Sequence, residues 1–233
     1  MNQHKHTELI LALDCPDRAE ALELLKSLQG SLQWVKIGLQ MFTAYGIPLV
    51  KEIKSMGFNV FLDLKLHDIP NTVAKAIDSL SEVSIDLLTI HAIGGPEMCQ
   101  FATRARDESN PSLKLLAVTV LTSMNQAQLE QLNIRTSIES QVQTLAKLST
   151  QSGIDGIVAS PLELPVLRSA LDPAALIVTP GIRPKGSDLN EQKRVMTPEE
   201  ASKLGANYIV VGRPILKSPN PNSAVQSIIK ELK

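Results

Sequence analysis

Within FLDLKLHDIPNTV, residues 61–73, two carboxylates crowd one ammonium: Asp63, Lys65 and Asp68. An ordinary strand end has no need of such a cluster. Side chains of an extended strand alternate between faces, so Phe61, Asp63 and Lys65 share one face and Val60, Leu62 and Leu64 the other. The apolar face suits packing against helices, which turns the charged face inward. Residues two apart on one face have α-carbons about 6.5–7 Å apart, close enough for Asp63 to pair with Lys65. Lys36, in WVKIG, has Trp34 and Gly38 as same-face neighbours and also points inward. A lysine held between carboxylates stays protonated, because its neighbours favour the charged form. Such an ammonium suits proton donation or stabilisation of a developing anion. It suits imine formation poorly, since that requires the free amine. A network that only ties strand ends together is the plainer alternative, but buried ion networks are weak devices for stability. Asp68 lies beyond the strand, near Pro70, which restricts Ile69 and ends regular structure there. Spacing leaves open whether Asp68 serves its own site or a neighbouring subunit's.

The elements that must position these groups follow a regular rhythm. Eight short apolar runs occur: 9–14, 34–38, 59–65, 86–91, 114–122, 155–160, 175–180 and 207–212. Each is followed by a helical pattern, the signature of parallel βαβ units. Eight such units in 233 residues predict one (β/α)8 TIM barrel spanning residues 1–233. A doubly wound sheet shares the rhythm and is the alternative. Two helix starts carry capping boxes, Ser160-Pro161-Leu162-Glu163 and Thr197-Pro198-Glu199-Glu200, in which side chains satisfy free amides.

In a barrel the strand ends converge on one mouth, where active sites sit. Asp14 ends the first run, and Lys36 lies near the end of the second. Asp63 and Lys65 end the third, His91 the fourth and Thr122 the fifth. Arg183 follows the seventh, and Gly212 and Arg213 close the eighth. The one long irregular segment, 181–196, follows the seventh strand. Loops of that kind are usually functional or mobile, and the loops after strands seven and eight often bind phosphate. Glycines let backbone amides approach an anion. Arg213 and Arg183 add guanidinium groups, and Gln192 is a neutral donor that a closing loop could bring in. No Walker pattern is present, so a phosphorylated small molecule fits better than a nucleoside triphosphate.

The balance of 23 basic and 24 acidic residues provides no field to attract nucleic acid or an anionic membrane. No run reaches the ~18 apolar residues of a membrane helix. The N-terminus, MNQHKHTEL, has no apolar signal core. Cys15 and Cys99 have no metal-type spacing and read as buried thiols, so a cytoplasmic location is expected.

The chain resembles the orotidine 5′-phosphate decarboxylase family. The resemblance is carried by the Asp-x-Lys-x-x-Asp core of residues 63–68 and its Ile-Pro-Asn-Thr continuation. LALD (11–14), VKIG (35–38), HAIGG (91–95), VLTS (120–123), PGIR (180–183) and VGRPI (211–215) appear in the expected order. Leu66 stands where that family has an aromatic as often as an aliphatic residue. The resemblance implies removal of CO2 from C6 of orotidine 5′-phosphate to give UMP, the last step of de novo pyrimidine nucleotide synthesis, with no metal and no organic cofactor. It implies that Lys65 donates the proton to C6, that Asp63 lies beside the departing carboxylate, and that Lys36 and Asp68 complete the array. It further implies a homodimer in which Asp68 enters the partner's site, with Ile69 and Thr72 nearby. Asp14 and Lys36 would bind the ribose hydroxyls and Thr122 would lie at the pyrimidine. Arg183, Gln192, Gly212 and Arg213 would hold base and phosphate. For His91 it leaves two roles open, strand-end support and contact. Magnesium-dependent decarboxylases or aldolases of the same barrel share Asp-x-Lys-x-x-Asp, and the Ile69–Thr72 continuation argues against them. A Schiff-base aldolase and a non-catalytic nucleotide-binding barrel also remain open.

Overall fold

A computed structural model describes residues 6–184 and 195–233. Its eight strands close into a parallel barrel in sequence order, each paired with the next and the eighth with the first. They are β1 (Glu8–Ala12), β2 (Trp34–Gly38), β3 (Asn59–Leu66), β4 (Leu87–His91), β5 (Lys114–Val118), β6 (Gly156–Val158), β7 (Leu176–Thr179) and β8 (Tyr208–Val211). All eight expected runs contain a strand, and the closed order excludes the doubly wound sheet. Six of the eight strands are shorter than their apolar runs; β2 matches its run and β3 extends one residue beyond it. β1 stops at Ala12 and β5 at Val118, so Asp14 and Thr122 lie on the loops that follow.

The helices that wrap the barrel are α1 (Arg18–Leu28), α2 (Leu39–Ser55), α3 (Pro70–Ser79), α4 (Gly95–Ser109), α5 (Gln126–Gln131), α6 (Ile138–Gln151), α7 (Leu164–Ala170), α8 (Pro198–Lys203), α9 (Arg213–Leu216) and α10 (Pro221–Glu231). α2 is broken at Gly46, whose φ of 58° and ψ of −154° are non-helical, just before Pro48. Both expected capping boxes form. Thr197 and Glu200 open α8, whereas Ser160 and Glu163 open a single 3₁₀ turn that leads into α7.

Strand alternation sorts the side chains into two cores. Ile10, Trp34, Phe61, Leu87, Leu116, Val178 and Val210 fill the barrel interior. Leu11, Val35, Ile37, Val60, Leu62, Leu88, Ile90, Ile177 and Ile209 pack outward against the helices. At about 25 cal/mol per Å² of apolar surface removed from water, these layers supply the main driving force for closure. Both cysteines are buried thiols. Among the described residues no helix is long and apolar enough to cross a membrane.

One ladder is irregular. Phe61 pairs with Leu87 and Leu62 with Leu88, but the next pair is Leu66 with Ile90, so β3 advances four residues while β4 advances two. The extra residues are those that carry Asp63 and Lys65.

Candidate active site

The charged face of β3 points into the barrel mouth, as alternation requires. Lys65 Nζ donates to Asp63 Oδ1 at 2.8 Å. Lys36 Nζ, from β2, stands 3.6 Å from Asp63 Oδ2 and 3.5 Å from Asp14 Oδ1. Asp14, Lys36, Asp63 and Lys65 therefore form one chain of alternating charge across three strands. Its inner members are largely shielded, with 12% of the Lys36 side chain and 13% of Asp63 exposed, against 30% of Lys65. Gly38 makes the room: a Cβ there would lie 2.8 Å from Lys36 Nζ.

Burial by itself would raise the Asp63 carboxyl. The ammonium groups of Lys36 and then Lys65, with hydrogen bonds from Lys65 and Thr89, outweigh it and hold Asp63 below the usual carboxylate range. Asp63 is thus a fixed anion at neutral pH.

Two features of the array carry no signal in the β3 sequence. Lys65 has φ 53°, a left-handed conformation that costs a side-chain-bearing residue about 1–2 kcal/mol. Its amide donates to Thr89 Oγ1 of β4 at 2.9 Å, and the same hydroxyl donates to Asp63 Oδ1 at 3.0 Å. No motif singles out Thr89 in the sequence. Its one signal is the interior register of DLLTIH, which it shares with Leu87 and His91. His91 is half-buried with its ring 5.6 Å from that of His67. Burial, then the His67 and Lys65 charges, hold it below the ordinary imidazole range against an opposing pull from Asp63. It is neutral at pH 7.

At the other side of the mouth, Ile182 bridges to Met196, and the Arg183 amide donates to the Met196 carbonyl at 2.9 Å. The two ends of the 181–196 segment are therefore held together. Gly181 there has φ 78°, a conformation that glycine adopts without steric cost. Arg183 is buried at 8% exposure. One of its terminal nitrogens donates to the Ile182 carbonyl, while its buried Nε has no hydrogen-bond partner among the described residues. Burial and then the nearby Arg213 lower its pKa. Arg213 opens α9 directly after Gly212 and lines a cavity of about 440 Å³ together with Asp14 and Lys217. Two guanidinium groups close enough to repel, one with a buried donor unmet, form a site that an anion would complete. Asp14 touches both the array and this end.

The remaining expected residues are dispersed. Asp68 is exposed, and its Oδ1 accepts from the Ile69 amide at 2.7 Å rather than meeting the lysines. Ile69 is 66% exposed and Thr72 is exposed in the first turn of α3. Thr122 lines a cavity of about 380 Å³ with Met124, Ile138 and Leu162, in which none of the array residues takes part. Gln192 lies outside the described residues.

A closed parallel barrel with an alternating array of lysines and aspartates at its C-terminal mouth has the build of a (β/α)8-barrel enzyme. Residues 7–228 match the orotidine 5′-phosphate decarboxylase / HUMPS family, and the chain belongs to that family. It is 49% identical over 226 residues to the orotidine 5′-phosphate decarboxylase of Opitutus terrae, covering 97% of this chain and 98% of that one. It is 48% identical over 220 residues to that of Staphylococcus saprophyticus, covering 94% and 95%. The crystal structure of orotidine 5′-phosphate decarboxylase from Lactobacillus acidophilus superposes with a TM-score of 0.88 at 37% identity, over 97% of this chain and 99% of that one.

Proposed function

We propose that this chain decarboxylates orotidine 5′-phosphate to UMP at the barrel mouth, in de novo pyrimidine synthesis, without metal or organic cofactor. The observation that carries the reading is the alternating array Asp14–Lys36–Asp63–Lys65 at the strand ends of a member of this family. The C6–carboxylate bond breaks heterolytically, CO2 leaves, and the electron pair stays on C6 in the ring plane, where the π system cannot delocalise it. Lys65 then transfers a proton to C6. Enzymes lower barriers by about 8–23 kcal/mol, and a carbanion of this kind calls for the upper part of that range. An ammonium fixed by Asp63 attracts the forming carbanion more than the ground-state carbon, which is the differential binding that catalysis requires.

In this reading Asp63 lies beside the departing carboxylate, and Asp14 and Lys36 take the ribose hydroxyls. Thr122 meets the pyrimidine. Arg183, Gln192, Gly212 and Arg213 hold base and phosphate, supported by the unmet Arg183 donor and the Arg183–Arg213 repulsion. Asp68, with Ile69 and Thr72, completes the site of a second copy in a homodimer. The exposure of Asp68 and the large apolar side chains just past the strand ends, Leu39, Ile69, Ile93 and Leu121, support that assignment.

The test is an ultraviolet assay for loss of orotidine 5′-phosphate in excess EDTA. Turnover indifferent to the chelator is expected. Tight UMP binding with no turnover would instead favour a nucleotide-binding barrel, and activity restored only by magnesium would favour the enediolate-forming relatives.

A further inference from the structure

We infer that Thr89 is a positioning residue for the Asp63–Lys65 pair, its single hydroxyl holding the carboxylate of one and the backbone of the other at the break in the β3–β4 ladder. The inference rests on the proposed decarboxylation for its kinetic readout, and it has a second readout that does not.

The irregular register takes Asp63, Leu64 and Lys65 out of the regular ladder between β3 and β4. An amide released from a ladder inside a protein must find another acceptor. The Lys65 amide finds the hydroxyl of Thr89, a side chain with no exposed surface. A hydroxyl has one proton to give and two lone pairs. Thr89 gives its proton to Asp63 Oδ1, the same oxygen that receives the Lys65 ammonium. One oxygen atom on β4 thus fixes both ends of the pair: the left-handed backbone of Lys65 and the carboxylate that holds its Nζ. Without it, Lys65 has less to offset its unfavourable φ of 53°. Asp63 would also lose a donor that restrains its rotation. Thr89 has no place among the substrate contacts proposed above. Its effect is on where the ammonium stands.

The β-branched shape suits a strand whether or not the hydroxyl is present, so substitution separates shape from hydrogen bonding. Thr89→Val keeps the branching and removes both bonds. Thr89→Ala removes them with less steric risk and serves as the check if the valine variant does not fold. Thr89→Ser keeps the hydroxyl. Hydrogen bonds to charged groups are strong enough that kcat for orotidine 5′-phosphate should fall about ten- to hundredfold in the valine and alanine variants. KM should change less than kcat, because bound substrate is still held at the ribose and phosphate. The serine variant should stay within about threefold of wild type, since it keeps both bonds. Alongside, hydrogen exchange of the Lys65 amide, followed by NMR in the intact protein, should accelerate at least about tenfold in the variants lacking the hydroxyl and not in Thr89→Ser. A purely structural role would lower the melting temperature of every variant without changing kcat per folded molecule. That result, or a serine variant as impaired as the valine one, overturns the inference. Should wild-type protein fail to turn over orotidine 5′-phosphate, the decarboxylase reading falls. The exchange measurement then decides on Thr89 by itself: protection lost in Thr89→Val and kept in Thr89→Ser upholds the positioning role, and equal protection in both refutes it.

Discussion

At the floor of the barrel, Asp86, Asp155 and Asn207 each stand just before an even-numbered strand. Their side chains accept from the amide of the preceding strand: Val60 at 2.7 Å, Leu115 at 3.0 Å and Ile177 at 2.8 Å. Each also receives a cation from a helix: Lys54 of α2, Arg106 of α4 and Arg168 of α7. At the mouth, Asp63 accepts instead from Lys65 and Thr89 and faces Lys36, while the Arg183 Nε has no partner among the described residues. The residue types are the same at both ends. Floor carboxylates are tied to backbone and finish the sheet. At the mouth, Asp63 is tied to side chains, two of them ammonium groups. Asp86 and Asp155 thus take a main-chain amide as well as cations, whereas the donors that Asp63 takes are side chains.

The sharpest way to break this contrast is to remove one cation from each end. Lys65→Ala should lower kcat by about 10⁴-fold, the upper range for a positioned acid, in a protein that still folds. Near-normal turnover in steady-state assays would refute its role. Arg106→Ala should do the reverse. It removes one partner of the Asp155 carboxylate, which keeps Lys114 and the Leu115 amide, so the loss of stability by denaturant titration should stay below the about 3–5 kcal/mol of a fully broken buried pair, while kcat per folded molecule holds. An equal loss of activity would erase the distinction between floor and mouth.

Smaller effects sharpen it. Arg213→Ala should reduce kcat/KM for orotidine 5′-phosphate by about 1.5–3 kcal/mol, the range for hydrogen bonds to charged groups. It should have much less effect on the nucleoside lacking phosphate, and equal losses on both would count against the phosphate assignment. Acid should act through Asp63. Its folded pKa lies below the unfolded value, so its stabilising contribution is full above the unfolded carboxylate range and is lost as pH falls through the folded pKa. Denaturant midpoints measured down the acid range should therefore fall more gently in Asp63→Asn than in wild type. Parallel slopes would mean that Asp63 is not depressed.

Much of the barrel was legible in the sequence because its signals are local. Apolar runs marked the strands, and Phe61 and Leu62 sort to opposite cores as alternation requires. The mouth was legible where alternation carried it, as for Lys36, Asp63 and Lys65. What was hidden depends on partners distant in sequence. No glycine or proline marks the break at Asp63–Lys65, whose left-handed lysine is held by a threonine on the next strand. The sequence singles out Arg183 for its charge, but its burial shows only in the pairing of Ile182 with Met196. Asp68 sits in the same motif as Lys65 yet accepts from the Ile69 amide of its own loop, a turn contact that strand alternation does not reach.

The central claim is that the Lys65 ammonium, held by Asp63, is aimed at the carbon that loses CO2. A crystal structure with bound UMP tests it most directly. Lys65 Nζ is expected within about 3.5 Å of pyrimidine C6, the separation of a near-attack geometry, with its bond to Asp63 retained. A Lys65 turned away from the base, with the nucleotide otherwise well seated, would contradict it.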